Sequence, residues 1–334
     1  MKEANSVKKK ILITTMIVIT VIIGGSIFYK LNAQENETKN LAKNACAAQL
    51  DIPAISSEDL PPLVDAVNSD NTKQQIKSNK NLQLNSMLDK TLPDLDGQYS
   101  AYVYCFKDGA EYIYNEKPML SASMIKMFIL AKAYEEINKG NLAESEIIKL
   151  KGSDIVGGAG NIQGMNVGTP LSVQYLLRQM IIESDNVATN IMIDRLGMAA
   201  INEYIIKNGY HNTKLQRHMM DFEAQKQGLR NYTSVMDLGK IFKLLYNHKC
   251  VNDFFDDKMI SILKDQTDND KIPQGLPGGT VIAHKTGELP GVFNDGGIVY
   301  STKGDYIIVI LANDVGQEAI SNIASLSEKV YGLI

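Results

Sequence analysis

An unbroken apolar run from Ile11 to Phe28 is entered through Lys8-Lys9-Lys10 and closed by Tyr29-Lys30. Its length is close to the ~20 residues that a spanning helix needs. The basic residues ahead of it predict a cytoplasmic N-terminus with everything downstream outside. The expectation is a short tail (1–10) and a single-pass membrane anchor (11–29). A cleaved signal peptide is the alternative reading, although Leu31-Asn32-Ala33 is a weak small-residue site lying beyond Tyr29-Lys30. From residue 30 to 81 the pattern turns polar, rich in Asn, Lys, Glu, Gln, Ser and Asp, with Pro53, Pro61 and Pro62 breaking it. This stretch reads as a stalk, and Leu63–Val67 is its one apolar patch.

Regular periodicity starts near Leu82 and holds to the end of the chain. Leu84, Met87 and Leu88 lie at helical spacing, and Ser100–Phe106 has the β-branched and aromatic content of a strand. Lys107-Asp108-Gly109-Ala110 predicts a hairpin turn with Glu111–Tyr114 as the returning strand. A helix is expected from Ser123, with Ser121 or Ser123 as its cap. Glycine-rich turns follow at 157–160 and 164–168. Helical patterns then cover Leu171–Ile182, Asn186–Leu196, Met198–Lys207, Ser234–Tyr246 and Val251–Leu263. Strands are predicted again at Val281–His284, Gly296–Tyr300 and Tyr306–Ala312, before a last helix over Gln317–Tyr331. Strands at both chain ends around a helical middle predict an α+β domain over 82–334. Its antiparallel sheet would be flanked by helices and stand beside a helical lobe, with a cleft between the two.

Charge and composition narrow the chemistry. The net charge of −4 and the lack of a concentrated basic patch argue against nucleic acid. Four histidines without paired spacing give no metal site, and no cofactor is expected. Of three cysteines, Cys105 reads as core and Cys250 as an exposed connection, which leaves a Cys105–Cys250 disulfide as an open question. A monomer is expected.

Three short stretches carry candidate chemistry. Ser123 and Lys126 sit one helical turn apart, so both side chains share a face. A serine hydroxyl becomes a nucleophile once a base takes its proton, and the apolar neighbours Met124, Ile125, Met127 and Phe128 suit a lysine whose pKa is lowered. Ser184-Asp185-Asn186 is a polar turn between two helices, placed to present a hydroxyl and an amide to a cleft. Lys285-Thr286-Gly287 ends a predicted strand, where a lysine and a threonine can hold a substrate carboxylate and a glycine admits a neighbouring backbone. Taken singly, each has an ordinary reading: a capped helix with a surface lysine, a helix-to-helix turn, a basic strand end. Together they fall in one order, about sixty and about a hundred residues apart, each on the element its role needs.

That set, Ser-x-x-Lys, Ser-Asp-Asn and Lys-Thr-Gly, resembles the motifs of serine β-lactamases and penicillin-binding proteins. Thr189-Asn190 and Arg195-Leu196-Gly197 extend the resemblance to the class A β-lactamase family over 82–334. The resemblance implies a two-lobe fold with Ser123 as the acylated nucleophile and Lys126 as its base or proton relay. It implies that Ser184 passes a proton to the leaving nitrogen and that Asn186 holds the substrate's side-chain amide. Lys285 and Thr286 would bind a carboxylate beside Gly287, and the backbone N–H groups of Ser123 and Glu288 would form the oxyanion hole. The implied substrates are β-lactams or the cell-wall D-alanyl-D-alanine peptides they mimic. A D-alanyl-D-alanine carboxypeptidase, another cell-wall peptide or ester hydrolase, and a sensor that stays acylated are the alternatives. The sequence departs from the family at one position. The family's Arg-x-Glu-x-x-Leu-Asn loop aligns with Leu215–Glu223, where Arg217 matches but Met219 stands in the glutamate's place. Methionine cannot take a proton from water, so acylation is expected to be intact and deacylation slow.

Overall fold

The computed structural model describes residues 81–334. The expected tail, anchor and stalk, to residue 80, lie outside the described residues. Among those described, no helix is long and apolar enough to cross a membrane. A first helix, α1 (residues 81–91), leads into the sheet strands β1 (Gln98–Cys105) and β2 (Glu111–Tyr114). Three long strands close the chain: β7 (Val281–Leu289), β8 (Val292–Tyr300) and β9 (Tyr306–Asn313), followed by α9 (Glu318–Leu333). They form one antiparallel sheet in the order β2-β1-β9-β8-β7, so the two chain ends meet at the β1–β9 pairing.

The sheet is buried on both faces, and the alternation of strand side chains divides the core in two. Ile307, Val309 and Leu311 of β9 point into the larger core with the helical lobe, whereas Tyr306, Ile308 and Ile310 join the smaller core with Leu84 and Leu88 of α1 and Ile323 and Leu326 of α9. An edge strand with one solvated face would alternate polar and apolar residues; β9 reads as a continuous apolar run because neither face meets water.

Between the sheet halves lie two minor strand pairs, β3 (Met119–Leu120) with β6 (Tyr232–Thr233) and β4 (Ile147–Lys149) with β5 (Pro170–Ser172). The long helices between the sheet halves are α2 (Lys126–Asn138), α3 (Val173–Ile182), α4 (Asn186–Leu196), α5 (Met198–Lys207), α7 (Val235–Tyr246) and α8 (Asp253–Lys264). A short α6 (Phe222–Lys226) precedes β6. Caps set their starts: Ser172, Asp185, Ser234 and Asn252 each accept a backbone N–H from the first turn of the helix they open. No disulfide joins Cys105 and Cys250. Cys250 is partly buried beside the Tyr204 hydroxyl, not exposed as expected, and burial pushes its thiol up to about 12.

Candidate active site

The turn that carries Ser123 differs from the predicted helix start. Ala122–Ile125 form a 3₁₀ turn and α2 begins only at Lys126. Neither Ser121 nor Ser123 caps it. Ser121 is buried with its hydroxyl directed at the Ala122 carbonyl (3.2 Å), while Ser123 is partly exposed and its Oγ has no hydrogen-bond partner among the described residues. Ala122 has φ +44°, a left-handed conformation that costs of order 1–3 kcal/mol for a residue with a Cβ.

The surroundings hold that turn in place. The Ser121 N–H donates to the Asn231 carbonyl (3.0 Å). Asn294 Nδ2, from β8, donates to the carbonyls of Leu120 (2.9 Å) and Ser121 (3.3 Å), and its Oδ1 accepts from the Ala312 N–H (3.1 Å). On the third side stands Gly287. A Cβ there would sit 3.0 Å from both the Ser121 oxygen and the Ser123 nitrogen. The glycine is required because the strand and the turn pack backbone to backbone.

Lys126 is fully buried beneath this turn. Its Nζ reaches the Ser184 carbonyl (2.7 Å), Ser184 Oγ (3.1 Å) and Asn186 Oδ1 (3.1 Å). Burial, and then the nearby Lys285 ammonium, push its pKa well below the lysine range, with Asp185 opposing. The partner set suits either protonation state. An ammonium donates to all three oxygens. A neutral amine gives its two N–H groups to the two carbonyl oxygens and turns its lone pair to the one partner that also carries a proton, the Ser184 hydroxyl. A proton can therefore pass between Nζ and Oγ without any heavy atom moving.

Ser184 occupies the strained turn between α3 and α4, at φ +51°. Asp185 behind it fixes the turn, accepting N–H groups from Ala188 (2.8 Å) and Ile162 (2.9 Å). Lys285 reaches Ser184 Oγ from the sheet side (3.1 Å) and bonds the Thr286 carbonyl (2.8 Å), which leaves one of its three N–H groups without a partner among the described residues. It is fully buried, and desolvation lowers its pKa to about 8 against the pull of Asp268 and Asp295. Lys285-Thr286-Gly287 was expected at a strand end; β7 instead runs through it to Leu289.

Ser123 lies where two cavities meet. One, of about 210 Å³, is lined by Ser184, Thr286, Gly287 and Glu288; the other, of about 180 Å³, by Asn186, Met219 and Glu288 among others. All the residues singled out from the sequence thus converge, with Lys126 and Lys285 buried beneath. The Thr286 side chain faces Asp268, which also lines the first cavity. Asp268, Asp270 and Glu288 come close enough together to hold a metal ion, but the buried Lys271 ammonium already bonds each of them, at 3.1 Å, 2.5 Å and 2.5 Å. That contact ties down the Glu288 carboxylate.

The loop carrying Met219 is closed at its neck by Asn231. The Asn231 Oδ1 accepts the N–H groups of Gln216 (2.8 Å) and Arg217 (3.1 Å), and its Nδ2 donates to the Arg217 carbonyl (3.1 Å). Asn190 of α4 clasps Met219 itself, accepting its N–H (2.8 Å) and donating to its carbonyl (3.1 Å). Met219 is 8% exposed and forms part of the wall facing Ser123. Asp221 and Glu223 do not replace the missing base there. Asp221 lines a separate cavity and caps α6 through the Ala224 N–H (2.9 Å); Glu223 is exposed and paired with Lys226 (2.7 Å). Asn231 and Asn294 were not singled out from the sequence; Asn190 was named only as part of the family resemblance, without a task.

With this geometry in view, the model of the Beta-lactamase enzyme family matches residues 83–334. The chain belongs to that family. VEB-1, a β-lactamase of Pseudomonas aeruginosa, is 23% identical over 235 residues, covering 63% of this chain and 77% of that protein. Among solved structures, a PBP-A variant with a leucine-to-glutamate replacement, an acyl-enzyme complex with penicillin G, superposes with a TM-score of 0.68. It is 25% identical and covers 82% of this chain and 98% of its own. An ancestral class A β-lactamase superposes with a TM-score of 0.69 at 19% identity, covering 75% of this chain and all of its own, and it shares the fold. The α+β architecture and the family resemblance both hold; what the site does with a substrate is a separate question.

Proposed function

We propose that this protein is a serine acyl hydrolase that β-lactams acylate at Ser123, and that it releases the acyl group slowly. The observation that carries this is the bonded chain Lys126 Nζ–Ser184 Oγ–Lys285 Nζ, whose serine lines one of the two cavities that Ser123 joins and whose lysines are buried. In acylation, Lys126 as a neutral amine takes the Ser123 proton while Oγ attacks the lactam carbonyl. The N–H groups of Ser123 and Glu288 hold the oxyanion, each such donor typically worth about 10²–10³ in rate. The C–N bond then breaks. The leaving nitrogen takes the Ser184 proton, and Lys126 returns one to Ser184. Lys285 and Thr286 hold the substrate carboxylate, and Asn186, at the wall of the second cavity, holds its side-chain amide. Mass spectrometry of residues 82–334 mixed with penicillin G should show a one-to-one adduct on the peptide bearing Ser123, absent from Ser123→Ala. An adduct mapping to Ser121 or Ser184 would refute the assignment.

Lys285 supplies a pH signature. Its ammonium must be charged to hold a carboxylate, and its pKa in the free protein is about 8. The acylation efficiency, which reports the free enzyme, should therefore fall as pH rises through about 8. Lys285→Arg should abolish that alkaline limb, because a guanidinium stays charged throughout. An unchanged limb would assign it to another group.

D-alanyl-D-alanine peptides are the second candidate substrates. The apolar wall at Met219 favours them as much as β-lactams, since it offers neither a base for water. The catalytic domain is placed outside the cytoplasmic membrane, on the pattern of Lys8-Lys9-Lys10 before the apolar run. Protease added to intact spheroplasts should remove the domain; its protection would reverse the orientation.

A further inference from the structure

The cavity between Ser123 and the Met219 loop has a cationic end that the acylation chemistry does not use. Arg217 and Arg230 both line it. Arg217 is 8% exposed, yet none of the described carboxylates bonds it. Its Nη1 donates to the His218 carbonyl (3.0 Å), and its Nε is buried with no hydrogen-bond partner. A buried guanidinium with an orphaned N–H is costly unless something else satisfies it. Arg230 lies near enough to repel it and, among the described residues, is itself bonded only to the carbonyls of Gln225 and Leu229. Asp221 is the acid that acts on Arg217, but its carboxylate caps α6 and lines a different cavity. The one carboxylate lining the Ser123 cavity, Glu288, is held by Lys271. Two cations and no available anion thus face a space of about 180 Å³. Its other wall is apolar: Met219, Met220 and Phe222, the last 55% exposed.

We propose that the Arg217–Arg230 end of this cavity is a subsite for a carboxylate borne on the apolar or aromatic acyl side chain of the substrate. Two guanidiniums match a carboxylate in charge and in donor geometry, and Met219, Met220 and Phe222 cover the carbon that carries it. Arg217 and Arg230 line the cavity that Asn186 lines and not the one that Thr286 lines, so the subsite reads the acyl half of the substrate and not the leaving half. The inference rests on Ser123 being the acylated residue only in so far as it names the substrate's side chain.

Two probe pairs separate the subsite from that reading. Phenylmalonamate and phenylacetamide differ by one carboxylate and contain no lactam. Titrated into Ser123→Ala and followed by NMR, phenylmalonamate should bind at least about tenfold more tightly, as a charged hydrogen bond predicts. Arg217→Gln and Arg230→Gln should each erase the difference, and the two variants guard against one of them failing to fold. Carbenicillin is benzylpenicillin with a carboxylate on its side chain. The ratio of their acylation rates should favour carbenicillin in the unmodified protein and fall about ten- to a hundredfold in either arginine variant. Anion-selective binding without acylation by either penicillin would uphold the subsite and overturn the β-lactam reading. Equal binding of the two amides, or a preference that survives both replacements, would overturn the subsite.

Discussion

Replacing Lys126 by arginine is expected to slow acylation of Ser123 by penicillin G by about 10²–10⁴, the usual worth of general-base assistance. The substitution keeps a positive charge and a long side chain but removes the lone pair. A guanidinium cannot give up a proton near neutral pH, so it can neither accept one from Ser123 nor return one to Ser184. The proposed role asks Lys126 to do both, and nothing near it stabilises the ammonium strongly. Its three bonded partners are neutral oxygens, Lys285 repels it, and the oxygens of Asp185 are already engaged by Ala188 and Ile162. Lys126→Ala tests the same step without adding bulk. It should slow acylation as severely, and it should leave Ser184 bonded to Lys285. Stopped-flow or quenched-flow mass spectrometry of adduct formation gives the rate. If Lys126→Arg acylates nearly as fast as the unmodified protein, the lysine serves as a charge and not as a base.

That the residues expected to carry acylation would gather at one place was legible because they sit close to motif partners in sequence and on elements with clear periods. The helices α4 and α5 begin and end where their patterns do, since Asp185 and Gly197 punctuate them. Elsewhere local signals misled for identifiable reasons. Asn294-Asp295-Gly296 has the composition of a turn, and the predicted strand started only at Gly296. In the fold these residues lie inside β8, because each side chain has a buried task. Asn294 pins the carbonyls before Ser123, and Asp295 bonds His284 Nδ1 (2.9 Å) and the Ile272 N–H (3.0 Å). Lys285-Thr286-Gly287 looked like a strand end for the same reason: a polar stretch facing a cleft and a packed backbone cannot show the alternation of a half-solvated strand. Asn231 was invisible, and Asn190 was read without its task, because their partners lie 14 and 29 residues away and are backbone groups, which no side-chain pattern records.

The deacylation half decides what kind of hydrolase this is. Mixed with penicillin G, the protein should give a burst equal to its concentration, followed by a steady state about 10²–10⁴ slower than a water-activating carboxylate would allow. The reason lies in the wall opposite Ser123. A water held against the ester needs a group that accepts its proton, and Met219 has no basic atom. Asn190 grips the Met219 backbone on both sides, so the loop cannot easily swing Asp221 or Glu223 into the gap. Those acids are in any case engaged, one capping α6 and the other paired with Lys226. Met219→Glu should accelerate the slow phase by at least about tenfold if that grip is kept. Burial against apolar neighbours would raise the new carboxyl's pKa, so the gain should grow as pH rises and the group ionises. Asn190→Ala added to Met219→Glu should lose much of the gain, because the carboxylate would no longer be aimed. Steady turnover by the unmodified protein with no burst, lost on replacing Asp221 or Glu223, would show that the loop finds its base after all.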